Sequence, residues 1–350
     1  MKTSVETFRS DFTERTLSFV WRQWCQMGVS GSVKHADSWV IDPEPLLALT
    51  TDFARHDARV FDEAMDWLNV NGEWINTQRL STILCRDKVG DRAVVGGMAS
   101  WMTERDKSLK WRGLTSRMMP EARSPAEPLF RFRSTGTPAA RSRTDGHFRR
   151  YGLLRPPIQT RGLTQPVNMK DPANAMFKSR AVFGTGIRAD VMTFLMTSDP
   201  SSPAHARHLA DVLGYNHIRV QDVLSGLANA GVLTVRPVRR TKQYRLDREK
   251  WGSVLLGDRQ PVPHWVNWRA LARGLTAIWR AAWTLDASQV DDYVFSSKMR
   301  EAMRSARDDL HASGLAFNIE DDRGYLGEAY MDALFRSIDG IFRVLAVERT

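Results

Sequence analysis

The sequence predicts a mostly α-helical protein in which three helices and one short β-hairpin stand between N- and C-terminal helical domains. Three observations carry this. Apolar residues recur at helical intervals along most of the 350 positions. Only two short runs, near residues 232–246, look like strands. Gly, Pro, Asn and Asp punctuate the periodic segments as turns and stops do. At 42% hydrophobic and 26% charged the composition is that of an ordinary globular chain, and the 12 Trp point to filled helical cores or aromatic contact surfaces. No stretch approaches about 18 uninterrupted apolar residues, so no membrane span is expected.

The organisation expected is 1–106 as an N-terminal helical domain, 107–180 as a basic Pro/Arg-rich linker or arm, 181–257 as the three helices and hairpin, and 258–350 as a C-terminal helical domain. Residues 11–27 place Phe12, Leu17, Val20, Trp21 and Trp24 at helical spacing, and the Gly28–Ser32 stretch ends that run. Helices are then expected from Leu46 to Arg55, Arg59 to Leu68, Thr77 to Leu84 and over 92–103, with a turn at Asn71-Gly72. A second, degenerate helix-turn-helix is conceivable here, but its exposed faces are acidic; packing or dimerisation is the plainer role. From Lys107 to Arg180 the aromatics Phe130, Phe132, Phe148 and Tyr151 interleave with arginines. Such a segment is expected to bury too little apolar surface to offset its ordering entropy. It is either an arm lying along a DNA backbone or minor groove, or a solvated linker with a few residues anchored on neighbouring domains, and both readings can hold for different parts. Beyond the hairpin, His264–Leu285 carries a broad Trp-rich stripe suited to intramolecular packing or a two-fold interface. Helices over 296–312 and 325–347 follow, with a turn at Asp321–Gly324.

The central stretch, Ile187 to Lys250, can be read residue by residue. Ile187, Val191 and Phe194/Leu195 share the face of a first helix. After a polar break at Ser198–Ser202, Pro203 suits a first helical turn, with Ser202 as the expected cap. The second helix, Ala204 to Leu213, buries Leu209, Ala210 and Leu213, and Gly214 ends it with a tight turn. Asn216 caps a third helix of about 216–230, in which Val220, Leu224 and Leu227 repeat at i, i+4 and i+7, and Gly231 stops it. Val232–Val235 and Gln243–Leu246 flank a basic tip, Pro237 to Lys242.

This order of helix, Gly turn, helix, Gly stop and basic hairpin resembles the winged helix-turn-helix transcriptional regulators of bacteria, the broad MarR/ArsR-like class. The residues carrying it are Ala206–Ala210, Leu213–Tyr215, Val220, Leu224–Leu227, Ala230–Thr234 and the wing Arg239–Leu246, roughly 60 residues, about half a typical domain. The resemblance implies a third helix in the major groove and a wing on backbone or minor groove. Function still has to be argued from the site.

Subtracting core positions from the third helix leaves His217, Ile218, Arg219, Gln221, Asp222 and Ser225 facing outward. Arg219 can bond guanine O6 and N7 together, Gln221 suits adenine, and Asp222 accepts from cytosine N4 or orients Arg219. Asn216 combines capping with a phosphate contact. Arg239, Arg240 and Lys242 at the tip, with Arg236 and Arg245 on the strands, meet phosphate or a narrow minor groove; His205 and Arg207 face the backbone crossing above. The charge distribution agrees. The net charge is +10, with 17 Lys and Arg against 5 Asp and Glu in 105–180, and 10 against 6 in 187–250. Residues 1–104 carry 11 against 15 and 258–350 carry 12 against 14, so both ends are mildly acidic.

Other chemistries are weakly supported. His205 and His208, with His217 beyond, lack a Cys or carboxylate at ligand spacing, so no metal site is expected. Gly184-Thr-Gly186 lacks the Lys-Ser/Thr of a phosphate loop and the third Gly of a dinucleotide loop, and no cofactor is expected. Asp291-Asp292 and Asp321-Asp322 have no Lys or His constellation for nuclease chemistry, and no nucleophile motif occurs, so the protein is not expected to be an enzyme. Two cysteines, Cys25 and Cys85, and an N-terminus without an apolar signal segment fit a reduced cytoplasmic location. The expectation is a homodimeric transcriptional regulator binding double-stranded DNA. The alternative is a DNA-binding or antitoxin-like subunit of a larger defence or mobile-element complex, its acidic helical ends holding a protein partner.

Overall fold

The computed structural model describes residues 4–31, 38–106, 108–120, 125–139, 144–202, 204–238, 241–257, 261–325 and 327–346. Among these residues the protein is mostly helical, with two two-stranded sheets. Helix α1 (Ser4–Gln26) starts well before residue 11 because Val5, Phe8 and Phe12 extend its buried stripe. Then come α2 (Pro43–Phe53), with Pro at its first turn, and α3 (Ala58–Asn71), whose Asp57 cap accepts from the Arg59 and Val60 amides. Helix α4 (Thr77–Thr82) widens into a π-turn over Ile83–Asp87, and α5 (Arg92–Thr103) is capped by Asp91. No helix among the described residues is long and apolar enough to cross a membrane.

The 107–180 segment departs from expectation. It contains α6 (Lys110–Met118), β1 (Glu127–Pro128), α7 (Gly146–Arg149), β2 (Leu153–Leu154, parallel to β1) and α8 (Ala175–Phe183). Trp111, Leu114, Leu129, Phe148 and Tyr151 are buried against the N-terminal helices, so its few apolar residues suffice because a preformed surface receives them. Several of its arginines are committed to the fold, while Arg112, Arg117, Arg149 and Arg150 stay exposed. Arg131 pairs with Glu127, Arg133 with Asp57, and Arg155 with Asp62 while lying over the Phe61, Phe130 and Phe148 rings. The loop is docked by close approach to α5. A Cβ at Gly96 would lie 2.2 Å from Tyr151 Cε1, and one at Gly97 would lie 2.4 Å from Phe148 Cδ1. Gly96→Ala is therefore expected to cost roughly 1–3 kcal/mol through overpacking, measured as a lower denaturant midpoint. An unchanged midpoint would mean that the Tyr151 ring is not seated there.

Next come α9 (Ile187–Thr197), α10 (Ala206–Leu213), α11 (His217–Asn229), β3 (Leu233–Val238), β4 (Thr241–Leu246) and α12 (Arg248–Leu255). They close over a core of their own that includes Val191, Leu209, Leu224, Leu233 and Tyr244. The chain ends with α13 (Trp268–Trp283), α14 (Asp292–Ala312) and α15 (Tyr330–Leu345). Helix α13 begins at Trp268 rather than His264, because residues 264 and 39 form a bridge and Asn267 caps the helix. The two helical ends, read from sequence as separate domains, share one core. Phe8 lies 5.6 Å from Phe295 and Phe12 5.1 Å from Phe342, centroid to centroid. The Trp stripe is spent inside it: Trp268 stacks on Phe19, and Trp279 packs on Phe53 and His56. One member of each carboxylate pair is structural as well, Asp291 capping α14 and Asp322 binding Arg300 and Arg304.

Candidate nucleic-acid interface

The site is built on α9 to β4. Helix α10 is not capped by Ser202. Its N-cap is His205, whose Nδ1 accepts from the His208 amide, and Pro203 lies outside the described residues. Helix α10 is strongly two-sided, with Ala206, Leu209, Ala210 and Leu213 buried and Arg207 exposed. Gly214 then takes φ 78°, a left-handed conformation that a side chain would strain. Asn216 caps α11 as its sequence position predicts, its side chain accepting from the Ile218 and Arg219 amides. Val220, Leu224 and Leu227 point into the core. The opposite face is open: Asn216, His217, Ile218, Arg219 and Asp222 are exposed, with Ile218 at 67%.

Gln221 behaves otherwise. It is partly buried, and its Nε2 donates to Tyr244 Oη at 2.7 Å and to Ser225 Oγ at 3.1 Å. It is a strut between α11 and the hairpin, and its amide N–H groups are occupied rather than held ready for adenine. Tyr244 was assigned no part from sequence, yet it fixes the hairpin against α11.

The hairpin pairs Leu233 with Leu246, Val235 with Tyr244 and Pro237 with Lys242. Side chains alternate across strands, so Lys242 shares the face of Tyr244 and Leu246. Arg236 and Arg245 stand on the other face, with Thr234 and Gln243. The strand cations therefore do not form one patch, and Arg236 and Arg245 line a cleft with the 198–202 loop. Strand β3 runs on through Pro237, which the sequence placed in the tip. Arg239 and Arg240 lie outside the described residues.

What sequence reasoning missed is the polar network beneath the α10–α11 turn. Arg79 binds Asp42 with two N–O distances of 2.5 Å, Glu44 at 2.7 Å and the Leu213 carbonyl at 2.7 Å. Arg180 binds Glu44 at 2.7 and 2.9 Å and Asp190 at 3.1 and 3.2 Å. Tyr215 donates to Asp190 at 2.6 Å and accepts from Asn76 at 3.0 Å. These five charged side chains are at most 2% exposed. Burial would raise the Glu44 carboxyl, but Arg180 and then Arg79 hold it down at about 2. With three carboxylates to two guanidiniums, burial instead raises Asp42. Burial, followed by the Asp190 charge, also keeps the Tyr215 phenol protonated far above its usual range, so it stays a donor. Arg269 adds a second hold on α10, binding Asp87 at 2.6 Å and donating to the Asp211 carbonyl. The turn that orients α11 is thus fastened to α2, α4, α8 and α13. The sequence signal was present but faint: Arg180 and Asp190 are charges set among the apolar positions of α8 and α9, each with another charge, Lys178 or Arg188, on the same helix.

The histidines show no ligand arrangement. His205 serves as a cap, and His208, its imidazole lowered chiefly by burial, packs on Phe194. Among the described residues, no group of three or more His, Cys, Asp and Glu is placed to hold a metal ion. Compared with known proteins, the chain matches no protein-family model, no curated protein and no solved structure.

Proposed function

We propose that the protein binds double-stranded DNA as a winged helix-turn-helix transcriptional regulator, α11 entering the major groove with the β3–β4 hairpin beside it. The observation that supports this best is the open face of α11. Its N-terminal half exposes an arginine, a histidine, an acidic residue and an isoleucine that no core position needs, while the same helix is fixed rigidly from behind. A helix this well fastened is suited to reading base edges, since recognition needs a preorganised donor set. Ile218, two-thirds exposed, supplies an apolar contact of the kind that the thymine methyl takes. Arg207, Arg219 and Lys242 supply phosphate or base contacts, and two copies of the chain on a two-fold site would give the half-site spacing usual for such dimers.

The test is an electrophoretic shift of the purified chain against the DNA upstream of its own gene, repeated across a salt series and followed by footprinting. A regulator gives a two-fold footprint whose affinity falls steeply with salt. Equal, weak binding to every duplex, or none at low salt, overturns the reading.

A further inference from the structure

The N-terminal helical part contributes a wall to a basic cleft that opens beside α11. The cleft is about 650 Å³. One wall is the α10–α11 turn and the start of α11, with Tyr215, Asn216 and Arg219; the facing wall is α4 and its π-turn. Gln78, Thr82 and Arg86 lie four residues apart along that facing wall, on one side of the helix. Gln78 and Arg86 are exposed, and Arg86 makes no ion pair among the described residues. Lys110 stands at the back, its ammonium held by the carbonyls of Gly72, Glu73 and Ile75. Burial lowers that ammonium below its ordinary value, as expected for a cation turned inward with only carbonyls as partners. Arg79 forms the floor, its charge already answered by Asp42 and Glu44. Against Arg86, Arg219 and Lys110 the lining offers one carboxylate, Glu73.

We infer that this cleft takes a phosphate of the DNA backbone, so that the duplex is gripped by the N-terminal helices as well as by α11 and the hairpin. The inference rests on the proposed DNA binding and extends its surface to residues to which the α9–β4 unit alone would not point. The reasoning is one of position and chemistry. A helix inserted by its N-terminal half brings the flanking strand past that end, where Asn216 and Arg219 already stand, and the strand meets the α4 wall across the cleft. A guanidinium without an ion-pair partner there can make two parallel bonds to phosphate oxygens. Gln78 adds a neutral donor of the kind that commonly positions a backbone without reading sequence, whereas the Thr82 hydroxyl donates to the Gln78 carbonyl.

The experiment uses the full chain, a fluorescent 30-base-pair duplex from its upstream region and a salt series, with Arg86→Ala, Arg86→Lys and Arg219→Ala compared. Arg86→Ala is expected to weaken binding by roughly 3–10-fold on every sequence and to reduce the salt slope by about one phosphate. Arg86→Lys should recover most of the loss, because the charge is kept. Unchanged affinity and slope in Arg86→Ala, while Arg219→Ala still loses its sequence preference, would overturn the cleft and leave the DNA reading standing. If the parent chain binds no duplex, the DNA reading falls, and with it the backbone assignment. Inorganic phosphate supplies the second arm. A rise in melting temperature of the parent chain, absent in Arg86→Ala, would show a pocket for a free phosphate group instead of a backbone.

Discussion

Arg180→Ala will destabilise the protein by about 3–5 kcal/mol, the usual cost of leaving a buried charge without its partner. The unfolding midpoint should fall by roughly 4–7 °C in a chain of this size. The guanidinium is the shared partner of Glu44 and Asp190, all three being inaccessible to water. Removing it leaves three buried carboxylates, Asp42, Glu44 and Asp190, around Arg79 as the remaining guanidinium of the network. Arg180→Lys should recover little, since an ammonium cannot span both carboxylates as the planar guanidinium does. The acid limb gives an independent reading. Glu44 titrates at about 2 in the folded chain against an ordinary 4.5. Its contribution is therefore fully present above the ordinary value and is lost as pH falls toward the folded one. Asp42, raised by burial, has the opposite sign: its contribution is present at low pH and is lost as pH rises through its folded value. Without Arg180 the Glu44 value rises toward or past its ordinary one, so the stability that Glu44 loses on acidification is smaller in the variant than in the parent, and the variant's midpoint falls less steeply below the ordinary value. Denaturant midpoints followed from neutral pH downward would show this. A midpoint lowered by less than about 1 kcal/mol, the range of an exposed ion pair, would mean that water reaches the network and the turn is not held from below.

That network also marks the limit of what the sequence discloses. Local order was legible: the α11 cap at Asn216, the Gly214 turn and the inward set Val220, Leu224 and Leu227 all follow from short-range chemistry, and the structure has them. Long-range pairing was not. Nothing near Glu44 in the chain announces that its partner is Arg180, and Gln221 carries no mark that Tyr244 will claim its amide. The 107–180 segment shows the same limit from the other side. Its composition describes a chain that cannot fold alone, but Phe148 and Tyr151 find a surface made by Gly96 and Gly97 on α5. Composition reports what a segment can bury by itself, whereas packing depends on what the rest of the chain already presents. Cap placement was fallible too, since at α10 a histidine took the place expected of Ser202.

Arg219→Ala should abolish most discrimination between the preferred site and a variant of it while leaving the fold intact. The side chain is exposed and makes no ion pair among the described residues, so folding stability should shift by less than about 0.5 kcal/mol. A bidentate contact to guanine discriminates by about 1–3 kcal/mol, or roughly 5–150-fold between matched and mismatched duplexes. The diagnostic quantity is the ratio of two affinities rather than either one. Lys242→Ala should lower both equally and flatten the salt dependence, because a phosphate contact is blind to sequence. Gln221→Ala should act through the hairpin instead, since its amide is spent on Tyr244 and Ser225. If Arg219→Ala kept the full ratio, base reading would have to come from elsewhere on α11. Of the side chains exposed there, only His217, Ile218 and Asp222 remain within the first two turns. Asp222→Ala would then separate the cases. A loss of preference in that variant alone would place readout on an acceptor facing cytosine, and an unchanged ratio in both would leave His217 and Ile218 as the exposed readers on the first two turns of α11.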